Sequence, residues 1–84
     1  MLRQNYPNPF NPTTTIGFSL AQTGRTRLAV FDLLGRRIAT LVDTLMSAGY
    51  HEAHFDGKGL PSGIYVYVLQ SNGRRTVRQM TLIR

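Results

Sequence analysis

"FDLLGRRIATLVDTLM", residues 31–46, is the one stretch of the chain where a helix of useful length could be sought. Gly35 interrupts it, and its β-branched residues lose side-chain freedom in a helix. The stretch therefore reads as a strand end, a turn and a new strand. In "DLLGR", Asp32 can cap the turn through its side chain and Gly35 can adopt a positive φ, which makes a tight hairpin. With this helix removed, none is left, and the chain is expected to be all-β.

The rest supports that reading. Short apolar segments alternate with turn signals about every ten residues, the pattern of an antiparallel β-sandwich. Strands are expected near Thr14–Leu20, Thr26–Leu33, Arg37–Val42, Tyr50–Asp56, Ile64–Gln70 and Arg75–Ile83. "DTLMSAG", residues 43–49, reads as a loop or short edge segment whose Leu45 and Met46 fold back on the sandwich. "DGKGLPSG", residues 56–63, holds three glycines and a proline and reads as a loop, with Leu60 plugging one end of the core. Asn72-Gly73 is a two-residue hairpin turn of type I′. It sets Ser71 opposite Arg74 and Val68 opposite Val77. If Ile64, Val66 and Val68 face the core, an extra residue near Arg78-Gln79 is needed to bring Met80 and Leu82 opposite them. A β-bulge is therefore expected there.

"NYPNPFNPTTTI", residues 5–16, resembles a proline-rich linker but reads as an ordered lead-in. The Asn8 and Asn11 side chains can accept the main-chain N–H groups of Phe10 and Thr13, and Pro9 and Pro12 fix φ. Phe10 between the two turns would point inward as a plug. The domain is thus expected over residues 5–84, with residues 1–4 a linker remnant or an added start.

The chain has 84 residues, of which 42% are hydrophobic and eight are aromatic. That is enough for one small domain with a single lean core. No apolar run is long enough to span a membrane, and no secretory leader is evident in the first residues. There is no cysteine, which excludes a disulfide scaffold, a thiolate metal site and a cysteine nucleophile. The net charge is +6, and nine of the ten basic residues are arginine. Such a surface suits either plain solvation or an acidic partner.

No motif points to catalysis, and no cofactor or metal is expected. The acidic residues Asp32, Asp43, Glu52 and Asp56 form no pairing motif. His51 and His54 fall on opposite faces of a strand and cannot share a metal. Ser62 lacks the glycine two residues earlier that a nucleophile elbow requires. "DGKG" precedes a strand rather than a helix, unlike a phosphate loop. Arg74, Arg75, Arg78 and Arg84 beside Tyr65 and Tyr67 offer a weak nucleic-acid reading, with the tyrosines stacking bases. Protection of an edge strand by arginines explains the same pattern more simply, so no specific nucleic-acid partner is expected.

Four stretches, taken in order, carry a family resemblance: "NYPNPFNPTTTI", "VFDLLGRRIATLVD", "GLPSGIYVYVL" and "RQMTLIR". Together they resemble the C-terminal sorting domain (type A) of the type IX secretion system. A similar domain occurs in the flagellar hook-capping protein. The resemblance implies an Ig-like or fibronectin-III-like sandwich of about seven strands, continuous with an upstream cargo. It implies an outer-membrane translocon and a surface sortase as partners, and export through the periplasm to the outer membrane, cell surface or medium. It implies that recognition lies at Met80, Thr81, Leu82, Ile83 and Arg84. The scaffold would comprise Asn8, Pro9, Phe10, Asn11, Pro12, Asp32, Gly35, Leu60, Gly63 and Tyr65. A structural spacer or assembly domain, or a carbohydrate-binding sandwich, are the alternatives.

Overall fold

Along Gly24–Phe31, Thr26, Leu28 and Val30 are fully buried while Arg25 and Arg27 are exposed. This period-two pattern recurs through the chain and makes strands of its apolar segments. A computed structural model describes all 84 residues. It contains β1 (Thr13–Leu20), β2 (Gly24–Phe31), β3 (Arg37–Met46), β4 (Gly49–Asp56), β5 (Gly63–Ser71) and β6 (Arg74–Leu82), and no helix. β1 and β4 form one antiparallel sheet, and β3-β2-β5-β6 form the other. The two face each other as a sandwich, with a core of 14 buried residues between them.

There are six strands, not seven. The seventh position is taken by the N-terminal lead-in, which pairs with β1 through isolated bridges at Leu2–Phe18 and Tyr6–Thr15. Three prolines among residues 7–12 remove the N–H groups a continuous ladder needs. Residues 1–4, expected to precede the fold, pack against it. Leu2 is 2% exposed within the core, and Arg3 N donates to Gly17 O at 2.9 Å.

Both hairpin turns form as the residues dictate. Asn72 and Gly73 have φ of 52° and 77°, the paired positive values of a type I′ turn. In the β2–β3 turn, Asp32 Oδ1 accepts the N–H groups of Leu34 and Arg36, each at 2.9 Å. Its Oδ2 accepts from Arg36 Nε at 2.7 Å, and Gly35 has φ 83°. The β3 strand runs on to Met46, past the expected loop, because its pairing with β2 continues through Thr44–Thr26 and Met46–Gly24. Met46 packs against the core as expected, but Leu45 points out and is 68% exposed.

The expected bulge near Arg78-Gln79 is absent. The β5–β6 register runs unbroken from Ser71–Arg74 through Val68–Val77 to Ile64–Thr81. The inward face of β5 is Tyr65, Tyr67 and Leu69, and these meet Met80 and Leu82 in the core without any extra residue. Tyrosine can take that face because both hydroxyls find partners. Tyr67 donates to Arg3 O at 2.7 Å and accepts from Asn5 N at 2.9 Å. Tyr65 donates to Pro61 O at 2.7 Å. The register shifts lie instead between β2 and β3, at Leu28/Ala29 and Val30/Phe31.

Two measurements test this arrangement. In urea unfolding, Phe10→Ala is expected to cost about 3–5 kcal/mol, as for a phenylalanine lost from a packed core. Ile64→Ser, on the outer face, is expected to cost under about 1 kcal/mol; equal costs would mean that the β5 faces are reversed. The hydrogen bonds from Arg36, then Leu34, hold the Asp32 carboxyl below its ordinary value. A lowered carboxylate contributes stability above its unfolded pKa of about 4 and loses it as pH falls further. Burial pushes the Tyr67 phenol up, so that contribution holds below about pH 10 and is lost as pH rises through the folded value. Melting temperature against pH should fall at both ends. Asp32→Asn should flatten the acid limb, and Tyr67→Phe the alkaline one.

Candidate functional site

At the end of β6 the side chains alternate sharply. Met80 and Leu82 are each 1% exposed and belong to the core, whereas Ile83 is 47% exposed and Arg84 lies in solvent. Thr81 is half-buried. The five residues expected to be recognised thus divide into two that hold the fold and three that reach the surface.

Three segments converge to fix this tip. The first is the lead-in, which runs parallel to β6 at Phe10 and Leu82. Phe10 N donates to Thr81 O at 2.9 Å, and Ile83 N donates to Phe10 O at 3.0 Å. Thr81 N donates to Asn8 Oδ1 at 3.0 Å. The Phe10 ring is 1% exposed and meets Phe55 edge-on, with centroids 6.0 Å apart. The second is the loop after β4. Gly57 N donates to Pro12 O at 2.8 Å, and Leu60 N to Gly57 O at 3.0 Å. A Cβ at Gly57 would stand 3.2 Å from Leu82 Cδ2 and 3.3 Å from both Phe10 Cε2 and Pro12 O. Glycine there lets the loop close onto the tip. The third is Arg84 itself, whose Nη1 donates to Leu60 O at 2.7 Å.

Of the expected scaffold residues, Asn8, Phe10, Pro12 and Leu60 meet at this tip, and Tyr65 braces the neighbouring loop through Pro61. Gly63 opens β5. Asp32 and Gly35 build the β2–β3 turn and take no part in the tip. Pro9 and Asn11 are exposed. The asparagine turns differ from expectation, because Phe10 N goes to Thr81 and Asn8 reaches β6. The asparagine that braces the lead-in itself is Asn5, only 2% exposed. Its Nδ2 donates to Pro7 O and Thr14 Oγ1, each at 3.1 Å. Its place two residues before Pro7 was the available signal. Leu2 and Gly57 carried none, since their partners are distant in sequence.

Other candidate groups do not assemble. Tyr65 and Tyr67 are 5% and 0% exposed, so neither can stack a base. His51 Nε2 lies 2.8 Å from Ser47 O, and His54 Nδ1 lies 3.0 Å from Thr15 Oγ1 on the other face. No group of three or more histidine or acidic side chains is placed to hold a metal ion. Tyr50 donates to Glu52 Oε2 at 3.1 Å; desolvation, then this carboxylate, pushes its phenol up.

The description "secretion system C-terminal sorting domain" belongs to a family model that matches residues 4–83. Among solved structures, the chain is similar to part of PorZ from Porphyromonas gingivalis, described as an essential bacterial surface component of the type IX secretion system. The two superpose with a TM-score of 0.73 and 20% identity, over 96% of this chain and 11% of PorZ. That likeness shows the shared fold, on a chain that spans about a tenth of that protein. None of the curated proteins matches. A family match over nearly its whole length means that this chain belongs to the secretion system C-terminal sorting domains, the sorting signals that mark type IX cargo for the outer membrane, cell surface or medium.

Proposed function

We propose that the domain is a non-catalytic address. It directs a cargo in the same chain through the outer-membrane translocon of the type IX system, and a surface sortase then attaches or releases that cargo. The parts that are read are Thr81, Ile83 and Arg84 at the end of β6. The single observation that carries this reading is the alternation at the tip, where Met80 and Leu82 face the core while Ile83 and Arg84 face solvent. A partner can grip the exposed apolar Ile83 and the Arg84 guanidinium only while the buried pair holds them in place. Met80 and Leu82 therefore act in presentation rather than contact.

This division dictates the test. Deleting Met80–Arg84 would remove two core residues and unfold the domain, so lost export would say nothing about recognition. The informative variant is Ile83→Ser with Arg84→Ala, which leaves the core intact. The chain is fused behind a periplasmic reporter in a strain carrying the translocon, and reporter is measured at the surface and in the medium. The tip variant should lower export by about tenfold, as expected for loss of one anchor side chain and one charged contact, with its melting temperature nearly unchanged. Wild-type export from the tip variant would overturn the site. Equal export in strains with and without the translocon would overturn the sorting function and leave a structural spacer.

A further inference from the structure

Arg27 stands on β2, an interior strand, where no sheet edge calls for a protecting charge. The register sets it in one row across all four strands, Asp43–Arg27–Gln70–Arg75. Residues directly opposite in neighbouring strands share a face. This row faces outward, since its members are exposed while the adjacent Leu28 and Leu69 enter the core. Two strand spacings separate Arg27 from Arg75, about 10 Å, with the Gln70 amide between them. Arg25 lies one step along the same face, and Arg74 lies at the hairpin turn. These arginines and Gln70 border a shallow cleft of about 670 Å³ with no apolar residue in its lining.

The charge of the cleft is only partly compensated, by one carboxylate against four arginines. Its one acidic residue, Asp43, is engaged by Arg25, with Nη2 at 2.8 Å and Nε at 3.3 Å. The chain has two ion pairs, Arg25–Asp43 and Arg36–Asp32, so Arg27, Arg74 and Arg75 have no carboxylate partner. The Asp43 carboxyl is held below its ordinary value, first by the Arg25 hydrogen bond and then by the charges of Arg25, Arg27 and Arg37. Planar guanidinium forks on a stiff sheet suit tetrahedral oxyanions, each taken by two parallel N–H donors.

We propose that the Arg27–Gln70–Arg75 row is a binding site for a multiply phosphorylated ligand. Arg27 and Arg75 each take one phosphate, and Gln70 donates between them. The site lies at the hairpin end of β6, opposite the tip, and does not depend on the sorting reading. Soluble phosphate chains and the neighbouring headgroup phosphates of an anionic lipid surface share this chemistry.

The test uses the 84-residue chain and a short linear polyphosphate. NMR titration should move the amide and arginine Nε–H signals of Arg25, Arg27, Gln70 and Arg75 first. Calorimetry should show binding that weakens steeply with salt. The double variant Arg27→Gln/Arg75→Gln should bind at least about tenfold more weakly, as expected for two lost charge-assisted contacts. Arg3→Gln/Lys58→Gln removes equal charge elsewhere and should change affinity by no more than about twofold. Equal losses in the two doubles would reduce the effect to general attraction by a basic chain and overturn the site. No binding at low salt would also overturn it. Vesicles with and without phosphatidylglycerol separate the sources. Capture by the anionic vesicles that the first double variant abolishes assigns a headgroup, and polyphosphate binding alone assigns a soluble ligand; either upholds the site.

Discussion

Phe10 joins the two sheets twice over, with its ring in the core and its main chain on the edge of β6. A six-strand sandwich of this size has one side closed covalently, where β3 turns directly into β4. The opposite side has no such closure. There β1 would present its outer edge and β6 its own, with the core visible between them. The lead-in closes that gap. Its first residues pair with β1, and it then crosses to β6, where Phe10 donates to Thr81 and accepts from Ile83. Tyr67 and Arg78 tie the same seam from the other sheet, through Arg3 O and Leu2 O at 2.7 Å each. Without the Phe10 ring a cavity opens in the core, and the main chain that pairs with Thr81 and Ile83 loses its anchor.

The composition of the lead-in follows from that path. A segment serving two sheets cannot keep one ladder, so its N–H groups would be left unsatisfied over the crossing. Prolines at 7, 9 and 12 carry no N–H at all. Asparagines supply what the main chain cannot: Asn5 satisfies Pro7 O and Thr14, and Asn8 satisfies the outward N–H of Thr81. The same contacts cover part of the β6 edge, which would otherwise be an open template for another strand.

What was legible in the sequence was whatever is decided locally. The Asn72-Gly73 and Asp32–Arg36 turns depend on a few adjacent residues, and both formed as those residues require. The strands were legible from alternation, and Phe10 from its place between two proline turns. What was hidden is decided across long separations. The core face of β5 looked aliphatic because a tyrosine hydroxyl needs a partner, and Tyr67 finds Arg3 and Asn5 more than sixty positions away. The reach of β3 to Met46 was set by pairing with Gly24–Thr26, and the partner of Asn8 lies 73 residues on. At the tip, the stretch from Met80 to Arg84 was expected through the family resemblance alone, and its division into buried and exposed side chains needed the position of Phe10.

On the proposed reading, sorting and folding share one strand. In a free peptide of this sequence, Met80 and Leu82 would be as available as Ile83. In the folded domain they are withdrawn, and only alternate residues are offered. Exposure of Ile83 and Arg84 in their fixed geometry therefore reports that the lead-in is docked, since Phe10 holds the main chain on either side of Leu82. The lead-in is also the part of the domain through which an upstream chain would enter. Strain transmitted along that chain would load the contacts of Met1, Arg3 and Tyr6 with β1 before it reached Phe10. A partner that read the tip as proposed would sample the closure of the sandwich as well as its sequence, and a misfolded domain would present a different set of side chains at the same place.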